Sequence, residues 1–227
     1  MIEWVYRRCR RSQAREVLIA TDDVRIAQTA QAFGASVRMT SATHASGTDR
    51  IAEVARSEGW SSDEIVVNVQ GDEPLLPEAL IDQVAELLVA HPAAHIATLA
   101  SPIASMEQLH DPNVVKVVTD AQQRALYFSR APIPWDRDGT GVRQVSGLGA
   151  ARRHLGLYAY RVGALLRLAE LAPTPLEQLE RLEQLRALEN GMDIRVGDAL
   201  VTPGADVNSA ADVSRAEALL AQEFPDQ

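Results

Sequence analysis

The sequence predicts an α/β protein with a doubly wound, mostly parallel sheet and an added antiparallel β region. Short apolar runs, typical of strands, alternate with segments of helical periodicity through the first hundred residues, and this alternation implies parallel βαβ units. After residue 110 the rhythm changes, because strand-like segments follow one another with little helix between them. The 227 residues and their 46% hydrophobic content suit one large domain with a buried core.

The elements of the first hundred residues are predicted from apolar spacing and from the residues that begin and end each segment. Gly34 ends the first clearly periodic helix, Thr48 is a plausible N-cap, and Pro77 opens a helix as proline commonly does. In chain order, we expect a helix at 1–11, a strand at 16–20, a helix at 24–33, a strand at 36–39, a helix at 48–57, a strand at 65–69, a helix at 77–90 and a strand at 96–100.

The second half begins with the predicted antiparallel strands and ends with further helices. In the helix predicted at 175–190, leucines recur every three residues and are expected to form a buried stripe, which leaves the glutamates on a solvated face. In chain order, we expect strands at 114–119, 125–129 and 155–161, helices at 162–171 and 175–190, a strand at 194–196 and a helix at 209–223.

Composition excludes several classes of protein. The net charge of −9 argues against a nucleic-acid-binding protein, which would usually carry a basic face, but it leaves anionic small substrates open. Cys9 is the only cysteine, so no disulfide can form within the chain and a reducing, cytoplasmic compartment is predicted. No apolar run approaches 18 residues, so no membrane span is predicted.

Carboxylates follow the apolar strand predicted at 65–69. This strand is expected to be buried on both faces, and Asp72 comes just after its carboxyl end, where open α/β sheets bind ligands. Asp72 is therefore a candidate ligand of Mg²⁺, which prefers carboxylate oxygens and shares its coordination shell with substrate phosphates. The alternative is that Asp72 and Glu73 are ordinary turn residues or acidic residues at a helix start.

A second candidate site lies at the start of the helix predicted at 48–57. Ser46 and Gly47 precede this helix, and small residues there leave backbone N–H groups open to an anion or a base edge. Arg50, in the first turn, has the geometry to bind a carboxylate or a phosphate through two hydrogen bonds. The alternative is a capped helix with a solvated arginine.

A third candidate site is a polar strand face. His154, Gly156, Tyr158 and Tyr160 share one face of the predicted strand, which is unusually polar for a covered strand and suggests a ligand surface. The alternative is an edge strand with a half-exposed aromatic face, and His154 is interpreted as a substrate contact rather than a base. No catalytic triad, zinc-ligand spacing or glycine-rich phosphate loop occurs in the sequence.

Several motifs occur in one order along the chain. The more specific strings are Tyr-Phe-Ser-Arg-x-x-Ile-Pro-Trp, which begins at Tyr127, and Arg-His-Leu-Gly, which begins at Arg153. With the segments 20–23, 46–50, 67–74, 113–118 and 182–186 they cover essentially the whole chain. Together these motifs resemble the CMP-KDO synthetase family, the 3-deoxy-manno-octulosonate cytidylyltransferases.

The resemblance implies a Rossmann-like, nucleotide-diphospho-sugar transferase fold in a single domain, 1–227, whose region 110–161 contributes substrate and dimer contacts. It implies that the anomeric hydroxyl of KDO attacks the α-phosphate of CTP, giving CMP-KDO and pyrophosphate for lipopolysaccharide biosynthesis. Mg²⁺ would neutralise developing charge and align the substrates. A cytoplasmic homodimer is expected.

The resemblance also assigns roles to individual residues. Asp72 is the leading metal ligand, and Ser46 and Gly47 would lie near the cytosine of CTP. The residues expected around KDO are Arg50, Gln70, His154, Tyr158, Glu183 and Gln184.

The sequence departs from the family pattern at two places. Family members begin with a strand and a loop of the type Pro-Ala-Arg-x-x-Ser-x-Arg-Leu-Pro-Gly-Lys, which holds the CTP phosphates, and the first residues of this sequence match the helix after that loop. We therefore expect little cytidylyltransferase activity from residues 1–227 alone. Where the family has a second metal-binding aspartate, the sequence has Asn208, whose amide oxygen would bind Mg²⁺ more weakly, and Asp206 is the alternative ligand.

Two other hypotheses remain open on the sequence. One is a related CMP-sugar synthetase, such as one for acylneuraminate, although the strings at 153–156 and 182–186 favour KDO. The other is an inactive, truncated remnant that binds a partner or a nucleotide without turning it over.

Overall fold

The computed structural model describes residues 1–44, 46–137, 151–202 and 219–220, in which helices and strands alternate. The helices are α1 Ile2–Cys9, α2 Val24–Ala32, α3 Gly47–Glu58, α4 Glu78–Ala90, α5 Met106–His110, α6 Val162–Glu170, α7 Pro175–Glu180 and α8 Gln184–Glu189. The strands are β1 Leu18–Thr21, β2 Ser36–Met39, β3 Ile65–Asn68, β4 Ile96–Pro102, β5 Lys116–Thr119, β6 Ala125–Ser129, β7 Arg152–Arg161 and β8 Ile194–Asp198.

Two compact units divide the chain. Unit one comprises Met1–Gly59, Asn68–Gln83 and Leu200–Gln227, and unit two comprises Trp60–Val67 and Val84–Ala199. The single domain predicted over 1–227 stays a prediction, and each unit is described by itself below.

Unit one contains a parallel strand pair covered by helices. β1 pairs with β2 in parallel, as expected for a βαβ unit whose crossover helix is α2. The core of this layer is formed by Ile19, Ala30 and Ala35, against which Tyr6 and Phe33 pack with ring centroids 5.6 Å apart. The alternation of strand and helix predicted for 16–39 is confirmed.

The start of α3 corrects one prediction. Thr48 was predicted as the N-cap, but the cap is Ser46, whose Oγ accepts a hydrogen bond from the backbone N–H of Asp49 (3.1 Å). Ser46 has the extended backbone that an N-cap needs, whereas Thr48 already lies in the first helical turn and is buried.

Unit two is built on a six-stranded sheet. Its strand order is β6-β5-β7-β4-β8, and β3 pairs with β7 outside this path. β4 and β8 are parallel, whereas β4–β7, β5–β6 and β5–β7 are antiparallel. Every one of these antiparallel pairs includes a strand from the region 110–161, so the α/β class with an added antiparallel region is confirmed.

The β4–β7 ladder contains a bulge. Thr98 lies opposite Tyr158, but the next residue, Leu99, lies opposite Leu155, so Gly156 and Leu157 stand outside the regular pairing. A bulge of this kind leaves backbone groups without ladder partners and bends the strand locally.

The prediction of a single helix at 175–190 is wrong, because this segment forms two helices, α7 and α8. Arg181 has a left-handed backbone (φ 56°) that ends α7 before α8 begins. The break rotates the helix faces, so the predicted leucine stripe is only half buried: Leu182 and Leu185 are in the core, but Leu176 and Leu179 are 36% and 81% exposed.

Two further expectations concern burial and the C-terminal segment. β3 was expected to be buried on both faces, but Ile65, Val66 and Val67 are only half-buried, consistent with β7 as the one partner strand described for β3. Apart from residues 219–220, the helix predicted at 209–223 lies outside the described residues. Within the described part of the chain, no helix combines the length and the apolar character that a membrane crossing requires.

Candidate functional site

In unit one, the predicted nucleotide-site residues gather where α3 begins. A Cβ atom added to Gly47 would lie 3.8 Å from the side-chain amide atoms of both Asn68 and Gln70. Gly47 therefore lies directly against these two amides, and Ser46, the N-cap of α3, immediately precedes it. The structure thus brings together Ser46, Gly47 and Gln70, which the sequence placed in separate motifs.

Arg50 is held by two partners rather than solvated. Its Nη1 donates to Thr40 Oγ1 (2.5 Å), and its Nη2 forms an ion pair with Asp22 Oδ1 (3.2 Å). Asp22 follows β1 at its carboxyl end and remains partly exposed. The solvated-arginine alternative is wrong for this residue, and the sequence analysis gave its ion-pair partner, Asp22, no role.

Asp72 lies at the exposed turn that follows β3, where the backbone N–H of Glu73 donates to the carbonyl of Gln70 (3.3 Å). No group of three or more His, Cys, Asp or Glu residues that could hold a metal occurs in the part of the chain that the structure describes. Mg²⁺ is commonly bound by one or two carboxylates together with substrate phosphates, and an exposed carboxylate on a turn fits that donor chemistry. Asn208 and Asp206 lie outside the described residues.

In unit two, the polar face of β7 is an aromatic cluster. The rings of His154 and Tyr158 have centroids 5.2 Å apart, and those of Tyr158 and Tyr160 are stacked at 5.7 Å. Phe128 of β6 meets His154 edge-on at 5.0 Å. The prediction that His154, Tyr158 and Tyr160 share one face is confirmed, and Gly156, within the bulge, is exposed.

His154 is buried and neutral. Its Nε2 lies 2.9 Å from the hydroxyl of Thr98, a completely buried residue of β4. Burial, with a smaller contribution from the neighbouring Arg153, lowers the pKa of His154 to about 3. A histidine with this pKa is a weak proton acceptor at neutral pH, so the geometry agrees with the interpretation of His154 as a contact rather than a base.

Tyr158 stays protonated in the same cluster. Burial raises the pKa of its phenol well above the ordinary value, and Tyr160 and the Glu183 carboxylate raise it further. The effect of Glu183 brings this residue, predicted from a distant motif, into the electrostatic environment of Tyr158. Its phenol is therefore an O–H donor or acceptor at any physiological pH.

The corner between α7 and α8 is held by a buried arginine. Arg186 donates from Nε and Nη2 to the two carboxylate oxygens of Glu177 (2.8 and 2.5 Å), and its Nη2 lies 3.7 Å from Glu183 Oε1. Its Nη1 also donates to the carbonyl of Leu171 (3.3 Å). Glu177, predicted to be solvated, is in fact bound, because the break at Arg181 folds α7 back toward Arg186.

Gln184 and Glu183 occupy this corner at different depths. Gln184 is buried, whereas Glu183 is half-buried and lies at the N-cap of α8. Arg186 thus holds a charge 3.7 Å from Glu183, one of the residues that the resemblance assigns to KDO, and the sequence analysis gave Arg186 no role.

Glu180 ties α7 to β6. Its carboxylate accepts hydrogen bonds from Ser129 Oγ (2.6 Å), from the backbone N–H of Arg130 (2.9 Å) and from the Tyr127 hydroxyl (3.3 Å). Burial opposes ionisation of Glu180, but these hydrogen bonds outweigh it and lower the pKa of the carboxyl below its ordinary value.

Lys116 is a buried cation at the start of β5. Its side chain has no exposed surface, and Nζ donates to the carbonyls of Val114 (2.5 Å), Arg130 (2.5 Å) and Asp111 (2.9 Å). Burial lowers the pKa of Lys116, with the nearby Asp111 and Glu180 opposing the shift. The ammonium therefore joins the turn before β5 to the segment that leaves β6.

Comparison of the sequence with known proteins identifies a matching family and several relatives. The sequence profile of the cytidylyltransferases matches residues 1–194. A 3-deoxy-manno-octulosonate cytidylyltransferase of Thioalkalivibrio sulfidiphilus (strain HL-EbGR7) is 55% identical over 221 residues, which are 97% of this chain and 88% of that protein. One of the same name from Cellvibrio japonicus (strain Ueda107) is 53% identical over 223 residues, with the same coverage of both proteins.

Solved structures agree with the sequence comparison. A CMP:2-keto-3-deoxy-manno-octonic acid synthetase complexed with CTP superposes with a TM-score of 0.88 at 38% identity, over 98% of this chain and 88% of that one. A 4-diphosphocytidyl-2C-methyl-D-erythritol synthase superposes with a TM-score of 0.58 at 14% identity, over 96% and 89% of the two chains, which shows a shared fold.

Proposed function

The chain belongs to the cytidylyltransferase family, and we propose that it transfers the cytidylyl group of CTP to KDO, giving CMP-KDO and pyrophosphate. The observation that carries this proposal is the identity of 55% and 53%, over 97% of the chain, to proteins named for this activity. The solved neighbour that contains CTP supports the nucleotide part of the assignment.

The nucleotide side of the reaction is assigned to the start of α3. Ser46 and Gly47 would contact the cytosine, since a helix start with small residues offers backbone N–H groups to a base edge. A Cβ atom at position 47 would be in van der Waals contact with the amide of Gln70 (3.8 Å), so glycine leaves more room beside that amide than any other residue. Gln70 and Arg50 are assigned to KDO, and the Arg50 guanidinium, oriented by Thr40 and Asp22, would bind its carboxylate.

The sugar hydroxyls are assigned to the aromatic face of β7 and to the α7–α8 corner. KDO is an acidic polyhydroxy sugar, so its recognition needs several hydrogen-bonding groups held in place. His154, Tyr158, Glu183 and Gln184 supply an imidazole, a phenol, a carboxylate and an amide, and burial restricts the freedom of three of them. Such preorganised groups lower the entropic cost of holding the anomeric hydroxyl ready for attack.

Asp72 is the residue that we assign to a metal ion. Mg²⁺ bound there would neutralise charge on the CTP phosphates during transfer. The chain's own contribution is an exposed carboxylate on a short turn, positioned by β3. Asn208, or Asp206 in its place, is proposed as the second ligand.

The wider setting is also a proposal. We propose a cytoplasmic enzyme of lipopolysaccharide biosynthesis that acts as a homodimer. β6 lies at the edge of its sheet and carries Leu126 with 61% of its surface exposed, and Trp135, shortly after it, is 79% exposed. Exposed apolar groups at a sheet edge support a contact between subunits in the region 110–161.

The test is pyrophosphate release with CTP, Mg²⁺ and either KDO or an acylneuraminate as the acceptor. It is run on Met1–Gln227 and on a version extended before Met1 by a family-type strand and Arg/Lys-bearing loop, so that phosphate binding and acceptor choice are tested separately. KDO-dependent release by the extended version, with little release by Met1–Gln227, is the expected result. Preferential use of the acylneuraminate would refute the assignment to KDO, and no turnover by either version would refute the proposed activity.

A further inference from the structure

The hydroxyl of Thr98 lies at a junction of three polar atoms. Its Oγ1 is 2.8 Å from the carbonyl oxygen of Leu157, 3.1 Å from that of Leu155 and 2.9 Å from Nε2 of His154. Thr98 has no exposed surface, so none of these contacts competes with solvent at the hydroxyl. The arrangement of protons at this junction is therefore fixed by the protein alone.

Counting protons decides the direction of each hydrogen bond. A threonine hydroxyl has one proton, and neither carbonyl oxygen has any. If Thr98 donated to His154, two oxygen–oxygen contacts of 2.8 and 3.1 Å would remain with no proton between them. If Thr98 instead donates to Leu157, its oxygen is free to accept from His154, which requires the imidazole proton to be on Nε2.

The bulge explains why a hydroxyl is needed at this position. The shift in the β4–β7 register between Thr98 and Leu99 leaves Leu157 outside the regular pairing, and Leu155 is the first paired residue on the other side of the bulge. Thr98 Oγ1 lies within hydrogen-bonding distance of both carbonyls. The same atom that compensates for the bulge also faces the ring of His154.

We infer that Thr98 is a positioning residue that holds His154 in the Nε2–H tautomer, so that Nδ1 is presented as a hydrogen-bond acceptor to a hydroxyl group of the sugar substrate. The identification of the sugar as KDO rests on the proposed function. Sugar hydroxyls are donors as well as acceptors, and an aromatic nitrogen of fixed direction selects for a hydroxyl at one place on the ring.

Two further observations support this assignment. The low pKa of His154, caused mainly by burial, leaves a single proton on the ring at neutral pH, so Nδ1 keeps its lone pair when Nε2 carries the proton. The ring is also held in orientation, with Phe128 edge-on at 5.0 Å and Tyr158 at 5.2 Å. A flip of the ring about Cβ–Cγ would keep these contacts but would lose the contact between Nε2 and the Thr98 hydroxyl.

The tautomer is measured directly by long-range ¹H–¹⁵N NMR of the ¹⁵N-histidine-labelled chain at neutral pH. The sequence has five histidines, and His154→Gln identifies the signals of position 154. We expect a protonated Nε2 and an unprotonated Nδ1, and we expect the Nδ1 signal to shift when KDO is added, alone or with CTP and Mg²⁺. A proton on Nδ1 in the free protein, or an Nδ1 signal that does not respond to saturating KDO, would overturn the inference.

Variants separate positioning from structure. Thr98→Val removes the hydroxyl with little change of volume, and it should raise the KM for KDO at least tenfold while leaving the KM for CTP within twofold, with loss of the single-tautomer signal. Thr98→Ser should restore the tautomer. Thr119→Val is the matched control, because the Thr119 hydroxyl contacts Arg152 rather than His154.

The outcomes distinguish this inference from the proposed function. If Thr98→Val does not fold, the measurements on the parent and on Thr98→Ser still decide the tautomer and its response to KDO. An Nδ1 shift with KDO but no pyrophosphate release by the extended version would support the inference and refute the proposed activity. Equal rises in both KM values with an unchanged tautomer would contradict the positioning role of Thr98.

Discussion

Replacing Lys116 by methionine should destabilise unit two strongly. The ammonium has no exposed surface and donates to the carbonyls of Asp111, Val114 and Arg130, which belong to two separate stretches of chain. Methionine has a similar length and an apolar terminus, so Lys116→Met removes the donors while filling most of the same space. All three carbonyls then lose a charged partner together.

The size of the effect follows from these three bonds. A buried acceptor left without its donor costs about 1–3 kcal/mol, and the lower part of that range applies because the bonds are only partly buried. Relief of the ammonium's own desolvation and burial of the methionine offset part of the sum. Three such costs at the lower end sum to about 3 kcal/mol, and after these offsets we expect a net loss of about 2 kcal/mol in the free energy of unfolding.

The assay is urea unfolding followed by circular dichroism at neutral pH, with linear extrapolation to water. Arg167→Met is the matched control, since it removes the same charge and introduces the same residue at an exposed position whose guanidinium makes one long hydrogen bond to Asn190 (3.3 Å). The control should change the unfolding free energy by less than about 0.5 kcal/mol. A loss below about 1 kcal/mol for Lys116→Met would refute the view that the ammonium holds these segments together.

Three further predictions concern other residues. Asp72→Asn should lower kcat for KDO-dependent pyrophosphate release at least a hundredfold and increase the Mg²⁺ concentration required. The control is Asp63→Asn, on another exposed turn. Turnover by Asp72→Asn near that of the parent or of this control would contradict the metal role. Glu180→Gln should destabilise the protein near pH 7 and progressively less in acid: the pKa of Glu180 is lowered by folding, so its stabilisation is present above the ordinary carboxyl pKa and is lost as the pH falls through the lowered value. Urea midpoints at pH 7 and pH 3 check this, and an equal loss at both would be inconsistent with it. Arg181→Gly should stabilise the protein by up to about 1 kcal/mol, because glycine adopts the left-handed backbone (φ 56°) without strain, and a lower melting temperature would count against this.

Most of the secondary structure follows from patterns that are local in sequence. The strand at 36–39 and the helix begun by Val24 are visible because apolar spacing and a terminating glycine agree. The prediction that His154 and Tyr158 share one face is also correct. The bulge leaves an even number of residues, two, outside the ladder, so the alternation of side chains between the two faces is unchanged.

The failures concern interactions that no local pattern contains. Arg181 is an ordinary helix former, and nothing near it in the sequence indicates a left-handed backbone, so the break between α7 and α8 and the ion pair of Glu177 with Arg186 were missed. Thr98 is a favourable strand residue whose partner at position 154 is 56 residues away. The motifs that resemble the family predicted the candidate ligand contacts. The residues that hold those contacts in place could be identified only from the structure.

Lys116 is the only lysine among the 227 residues, and it is fully enclosed. In the native state, therefore, residues 1–227 offer no exposed lysine side chain to reagents that acylate primary amines. Acylation at position 116, or cleavage there by a lysine-specific protease, requires the surrounding strands to open. The rate of either reaction reports the opening of β5 and its neighbours, so this single side chain is a built-in probe of the stability of the sheet, readable by mass spectrometry without any added label.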